Sequence, residues 1–434
     1  MKLASALVMA VMACVLSSCA ALSGKDRTHH KGHQRPEQVN TPAVQLGPCP
    51  FYLVQGMREG RLKDKLMSCH SGPFYKTDFS IGHRGAALQF PEHSDVSYQA
   101  AAVMGAGIVE CDVTFTRDGE LVCRHSECDL HTTTNIVATP LNEQCTVPWV
   151  EPAGGGDTTP VCCTSDLTLV QFKTLEARMD SSNPAATSAE EFLGASADWR
   201  TDLYTARALP LTFAESIALN QALGVKHAPE LKEARHKERV DAIFGGQQQY
   251  SKRFIDTLEA GGVQPSDVWV QSFNLDDVLY WIDNTRFGEQ AVYLLGYDSD
   301  VDDIIIIIQA PYNLMGRQDF FNMLKTRGVR IIAPPIPALL RVDEHAEIVP
   351  SPLAIELKEH GFDIITWTFE RSDVRYGGSR AGFYYDFDAD GRAIRRDSDI
   401  YEALHVLARQ VGILGMFSDW PATVTYYANC MDLR

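Results

Sequence analysis

Glu110 and Asp112 stand two residues apart in the apolar run 108–114. On an extended strand, residues i and i+2 share a face, so Glu110-Cys111-Asp112 turns two carboxylates into one space. Like charges held that close are costly unless a cation lies between them, which makes the pair candidate metal ligands. The next run, 121–125, follows a short gap containing Asp118-Gly119, too short for a parallel crossover. It is therefore expected to return antiparallel, as a hairpin arm. A turn closed at Thr116/Gly119 sets His125 opposite Glu110, and one closed at Arg117/Glu120 sets it opposite Asp112. Either register brings the imidazole to the carboxylate face; a one-residue slip would aim it at Cys111. Glu230 and Lys232 repeat the i, i+2 geometry on the run 226–232. Taken alone they could equally be a salt bridge. Beside Glu110 and Asp112, however, Glu230 offers a third oxygen ligand of the kind Ca²⁺ or Mg²⁺ prefers, and Lys232 a point charge for phosphate. His83-Arg84-Gly85 closes the run 79–83 with an imidazole for proton transfer, a guanidinium fork suited to phosphate oxygens, and a glycine for a sharp turn.

Such residues need strands that end side by side. Strand-like runs at 79–83, 108–114, 121–125, 226–232, 268–274, 291–297, 329–334, 363–369 and 412–418 alternate with helical patterns at 94–104, 211–223, 346–359 and 399–411. That alternation predicts an α/β fold with a parallel sheet. With 121–125 set aside as the arm, the remaining eight runs predict a TIM (β/α)8 barrel. From about 127 to 205 the periodicity collapses around Pro140, Pro148, Pro152, Pro160 and Gly154-Gly155-Gly156. A structureless loop of that length is improbable, so this stretch reads as a disulfide-rich insertion lying over the barrel mouth. One helix is expected inside it, over 167–175, capped by Ser165-Asp166.

The chain has eleven cysteines. Setting aside Cys14 and Cys19 leaves Cys49, Cys69, Cys111, Cys123, Cys128, Cys145, Cys162, Cys163 and Cys430, an odd set that forces at least one free or intermolecular thiol. Cys111, inside an apolar strand, is the expected inert core thiol. Cys128, Cys145, Cys162 and Cys163 do not have zinc-finger spacing and are expected to form disulfides. Asp386, Asp388, Asp390 and Asp397 follow the acidic spacing of a calcium loop, though the twelfth place holds Asp instead of Glu; the choice is a structural Ca²⁺ or a solvated acidic turn.

Residues 1–18 read as a signal peptide, with Lys2 ahead of an apolar stretch too short to span a bilayer. Leu16-Ser17-Ser18-Cys19 looks like a bacterial lipobox, so Cys19 would carry a lipid and anchor the chain at the periplasmic or outer cell surface; soluble periplasmic or secreted export is the alternative. Residues 19–45, with His29, His30 and His33, read as a solvated tether, leaving 46–434 for the barrel. The net charge of −17 argues against nucleic acid, and no protein partner is evident. It also means that an anionic substrate must be captured by local cations or a bound metal.

Ile81-Gly82-His83-Arg84-Gly85, Pro91-Glu92-His93-Ser94, Glu110-Cys111-Asp112-Val113-Thr114, Asp118-Gly119 and Arg124-His125 together resemble the signature of the glycerophosphodiester phosphodiesterases. The likeness continues through Glu230-Leu231-Lys232, Gln271-Ser272-Phe273, Trp367-Thr368 and Phe417-Ser418-Asp419-Trp420-Pro421. It implies His83 and His125 as acid and base, Arg84 and Lys232 on phosphate, and Glu110, Asp112 and Glu230 on a divalent metal, Ca²⁺ favoured over Mg²⁺. Glu92, Gln271 and Trp367 would support the site. The implied reaction hydrolyses deacylated phospholipids such as glycerophosphocholine to glycerol 3-phosphate and an alcohol. His93-Ser94 departs from the family's usual Asn-Thr, and Cys111 from an aliphatic residue. Two other readings are a phospholipase D-like enzyme on intact lipids and a surface-binding lipoprotein without catalysis; the latter predicts a degraded site.

Overall fold

Inward-pointing apolar side chains on alternate strand positions fill the centre of the molecule: Ile81, Ile108, Ala228, Val292, Leu294, Ile331, Ala333, Ile365 and Phe417. The computed structural model describes residues 44–152, 157–201, 207–298, 305–378 and 382–433. The leader, Cys19, the tether up to residue 43 and Gly154-Gly155-Gly156 lie outside the described residues.

The strands are β1 (Thr77–Gly82), β2 (Ala106–Phe115), β3 (Leu121–Cys123), β4 (Lys226–Leu231), β5 (Gln271–Ser272), β6 (Val292–Leu294), β7 (Gly296–Asp298), β8 (Ile305–Ile307), β9 (Ile331–Ala333), β10 (Leu340–Val342), β11 (Ile348–Pro350), β12 (Asp363–Phe369) and β13 (Gly415–Ser418). The main sheet runs β1-β13-β12-β9-β6-β5-β4-β2, and β1 pairs with β2 to close it. This is a TIM barrel of eight parallel strands, with β3 added antiparallel to the last residues of β2, Val113–Phe115. Between the barrel and its helices lies a second, larger apolar layer that includes Tyr98, Phe254, Trp281 and Leu404. None of the helices among the described residues is long and apolar enough to cross a membrane.

The hairpin takes neither expected register. Val113 pairs with Cys123, Thr114 with Val122 and Phe115 with Leu121. Thr116 N donates to Glu120 O at 2.9 Å, so the turn has three residues, 117–119, with Gly119 at φ 80°. Counted along the ladder, His125 would fall opposite Cys111, the slipped case. The ladder ends at Cys123, however. Arg124 N still reaches Asp112 O at 2.8 Å, and His125 lies beyond the paired strand, free of its parity.

Cys111 is not a free thiol. It faces the outer side of β2 and is bonded to Cys123, with Cα atoms 5.4 Å apart, a diagonal pair within disulfide reach. Cys128–Cys163 and Cys145–Cys162 staple the insertion, and Cys69–Cys430 joins the segment before the barrel to its last helix, Pro421–Cys430. Cys49 is the free cysteine among the described residues.

The insertion holds more local structure than the single expected helix. There are short helices at Leu130–Thr133, Leu169–Phe172 and Ala189–Leu193, with 3-10 turns between the first two. Thr168, not Ser165-Asp166, caps the middle one, in a capping box with Gln171; Ser165 and Asp166 belong to the preceding 3-10 turn. Leu130, Ile136, Phe172 and Phe192 form a satellite core apart from the barrel's. The pattern over 346–359 also divides. Residues 348–350 pair with β10, and the helix is Pro352–Glu359, capped by Ser351, because a residue before proline avoids helical geometry.

Candidate active site

The parity that packs the barrel interior continues to the strand ends and there changes from apolar to charged. Ile81 leads to His83, Ile108 to Glu110 and Asp112, Ala228 to Glu230 and Lys232, and Phe417 to Asp419. His83, Arg84, Glu110, Asp112, His125, Glu230, Lys232 and Trp367 line one cavity of about 410 Å³ at the mouth.

His83 follows β1, its backbone N–H donating to Ser418 O at 2.9 Å. Its Nδ1 lies 2.6 Å from Asp419 Oδ1, and Nε2 faces Glu110 Oε2 at 3.8 Å. Burial, with Arg84 alongside, pushes the imidazole down to about 4 against the pull of Asp419. Arg84 takes the left-handed conformation, φ 56°, which costs about 1–3 kcal/mol for a non-glycine residue. In return, Arg84 N donates to Glu110 Oε2 at 3.0 Å and Nη1 reaches both oxygens of Glu92, at 3.1 and 3.0 Å. Gly85 is required next: a Cβ there would lie 2.3 Å from Ser97 Oγ.

Glu110, Asp112 and Glu230 bring one oxygen each within 4.8 Å of one another. Gln271 Nε2 donates to Glu110 Oε1 at 3.0 Å, and Lys232 Nζ pairs with Glu230 Oε1 at 2.7 Å. Burial, added to the neighbouring carboxylates, raises Glu110 well above the usual range and lifts Glu230 to about 8. Asp112 is held well below the usual range although burial opposes it, through Lys232 and His93. Asp112 Oδ1 is buried without a hydrogen-bond partner. An orphaned oxygen within a cluster of hard, crowded carboxylates fits a divalent cation.

Among the described residues, one other group has ligand spacing, Cys128, Cys163 and His236. Its two sulfurs are spent in a disulfide. The acidic turn is not such a group. Asp388 accepts the backbone N–H groups of Arg392, Ala393 and Ile394 at 2.8, 3.0 and 2.6 Å, while Asp390 and Asp397 point to solvent. Backbone amides organise this turn.

His125 sits on the cavity wall, its proton affinity driven well below normal by burial and by Arg84 and Lys232. Trp367 donates Nε1–H to Ala333 O at 2.9 Å and packs against Phe273 and Phe383, with centroids 5.9 and 6.3 Å apart.

The glycerophosphoryl diester phosphodiesterase family model matches residues 83–423. The chain belongs to that family. A protein from Arthroderma benhamiae named "Extracellular protein" is 37% identical over 264 residues, 59% of this chain and all of the relative. The probable glycerophosphodiester phosphodiesterase 1 of Mycobacterium tuberculosis is 53% identical over 47 residues, 11% of this chain and 17% of that one. A putative glycerophosphoryl diester phosphodiesterase from Silicibacter pomeroyi shares the fold, with TM-score 0.51 at 15% identity over 83% of this chain and 95% of that one.

In this phosphodiesterase the His93 departure has a structural role. His93 is left-handed (φ 54°), fully buried, and bonded through Nε2 to Asp112 Oδ2 at 2.9 Å, with Tyr98 OH 3.2 Å from Nδ1. Sequence reasoning assigned no role to Asp419, Arg371, Arg200 or Asp180. Asp419 could have been found, since it continues the inward parity of Phe417. Arg371 sits past the end of β12, where its Nη1 meets Asp419 Oδ2 at 3.0 Å. Arg200 and Asp180 come from the insertion, where nothing periodic marks them.

Proposed function

We propose that this phosphodiesterase hydrolyses glycerophosphodiesters, such as glycerophosphocholine, to glycerol 3-phosphate and a free alcohol, using a divalent metal at Glu110, Asp112 and Glu230. The observation that carries the reading is the meeting of two histidines, three carboxylates and the cations Arg84 and Lys232 in one cavity. When bound, the ion supplies positive charge beside the phosphate oxygens. Ca²⁺ is favoured over Mg²⁺ because three protein carboxylates in an irregular cluster suit calcium's loose coordination better than magnesium's strict octahedron. Lys232 meets phosphate as a point charge, and Arg84, braced by Glu92, presents its guanidinium in a fixed orientation. His83 and His125 divide the proton transfers. One takes the proton of the nucleophile, water or the neighbouring glycerol hydroxyl, and the other gives one to the leaving alcohol.

The four disulfides among the described residues and the extracellular naming of the Arthroderma relative support export. The lipid on Cys19 rests on the N-terminal residues, and mass analysis of the mature N-terminus tests it.

The activity test measures glycerol 3-phosphate release from glycerophosphocholine, and choline release from intact phosphatidylcholine in parallel, with Ca²⁺, Mg²⁺ or EDTA. Release that stops with EDTA and returns best with Ca²⁺ is the expected result. Product from the intact lipid alone would move the enzyme to the phospholipase reading.

A further inference from the structure

We infer that Arg200, carried to the barrel mouth by the stapled insertion, is a positioning residue for His83 that acts through Asp419. The inference rests on the proton-transfer role proposed for His83.

Asp419 is wholly buried, and its two oxygens have separate tasks. Oδ1 faces His83 Nδ1 at 2.6 Å, while Oδ2 takes Arg200 Nη2 at 3.1 Å and Arg371 Nη1 at 3.0 Å. Arg371 is shared, since its Nη2 also lies 3.4 Å from Glu92 and 3.8 Å from Asp180. Arg200 is 4% exposed at the side chain, and among the described residues it pairs with Asp419. Burying a carboxylate and a guanidinium is costly, so stability alone does not account for this arrangement. It does give Asp419 a second cation, which favours its ionised form and points Oδ1 at the imidazole. A carboxylate in that place fixes the tautomer with hydrogen on Nδ1 and leaves Nε2 as the nitrogen turned towards Glu110.

The bracing group therefore comes from a segment outside the barrel. Arg200 lies 219 residues from Asp419 along the chain, on the far side of the Cys128–Cys163 and Cys145–Cys162 staples. Asp180, from the same insertion, meets Arg371, so the insertion touches both arginines that hold Asp419, one by sharing and one by supplying it. A merely structural latch would use the same contacts but would leave turnover intact once the protein had folded.

The test compares wild type, Arg200→Ala, Arg200→Lys, Asp419→Asn, the Arg200→Ala/Asp419→Asn double variant and His83→Ala. Two readouts are followed: steady-state hydrolysis of glycerophosphocholine at saturating metal, and the downfield ¹H NMR line of His83 Nδ1–H, assigned by its absence in His83→Ala. Arg200→Ala is expected to lower kcat roughly 10-fold with KM little changed, the lower end of the scale for losing a group that orients a metal-bound histidine. Arg200→Lys should recover most of the loss, Arg200→Ala should cost nothing further in the Asp419→Asn background, and the downfield line should move or broaden in Arg200→Ala. Wild-type kcat with an unmoved line, or an equal loss in the Asp419→Asn background, overturns the inference. Full activity in His83→Ala would instead remove the role proposed for His83, and the NMR line would still decide what Arg200 does. If Arg200→Ala does not fold, Arg200→Gln takes its place in each comparison and Arg200→Lys remains the rescue.

Discussion

At the barrel mouth, His83, Glu110, Asp112 and Glu230 stand on strands whose inward rows continue down through Ile81, Ile108 and Ala228. In the insertion, Asp180 stands on irregular chain between two short helices and Arg200 on irregular chain after the second, in a segment held by two disulfides and a small satellite core. The first region places charge through the pairing of neighbouring strands and the second through covalent staples. Strand pairing sets positions repeatedly and to within a fraction of a residue, whereas staples fix only a few points and leave the chain between them to its own turns. The groups that would touch substrate sit in the first kind of region, and those that brace them come partly from the second.

The contrast is broken most sharply by removing chemistry without removing structure. His83→Ala should lower turnover by about 10³-fold, within the range for loss of a general acid or base, Glu110→Gln should lower it comparably by removing a proposed metal ligand, and both should leave the thermal midpoint nearly unchanged. Turnover within a few-fold of wild type in both would mean that the strand-end cluster is not where the reaction occurs. A smaller effect is expected from the staples. Replacing Cys145 and Cys162 together by Ala should cost about 2–4 kcal/mol, felt mainly by the insertion. Limited proteolysis with mass analysis should then find new cuts between 127 and 205 while the barrel resists; cuts spread evenly over the chain would show that the two regions unfold as one. The smallest effect concerns His227, which points outward from β4 beside Asn220 at 3.4 Å and is held at about 4 by burial. The unfolded chain binds this proton near pH 6.5 and the folded one refuses it until about 4, so the contribution is intact above 6.5 and is lost as pH falls towards 4. Over that window wild type should lose about 1–3 kcal/mol more than His227→Gln in denaturant titrations. Parallel curves would show that this histidine does not feel the barrel wall.

Most of the strand-end cluster was legible because parity is local. Once 108–114 is a strand, Glu110 and Asp112 must share a face whatever the rest of the chain does. His125 was placed on the right wall for an incomplete reason. Both expected registers assumed that the arm stays paired to its end, and the structure uses a three-residue turn and releases the chain after Cys123. Cys111 was misread because its partner lies across that same hairpin, and a diagonal neighbour becomes visible only when the register is known. Two of the insertion's helices, Leu130–Thr133 and Ala189–Leu193, have no sequence signal because segments of four or five residues complete barely one turn and leave no periodic pattern. Arg200 has no sequence signal at all. Its partner is 219 residues away, so only the folded chain brings the pair together.

The Cys69–Cys430 bond gives the molecule a different kind of connectivity. The two cysteines are 361 residues apart and enclose every barrel strand, so the stretch between them is a covalent ring. A ring survives one break. A protease that nicks the insertion, or any single loop between residues 69 and 430, leaves one molecule of unchanged mass apart from the added water. It would show one band without reductant and two with it. Outside a cell, where cleavage is frequent and thiols stay oxidised, such a chain can be cut once and still keep all eight strands on the same piece.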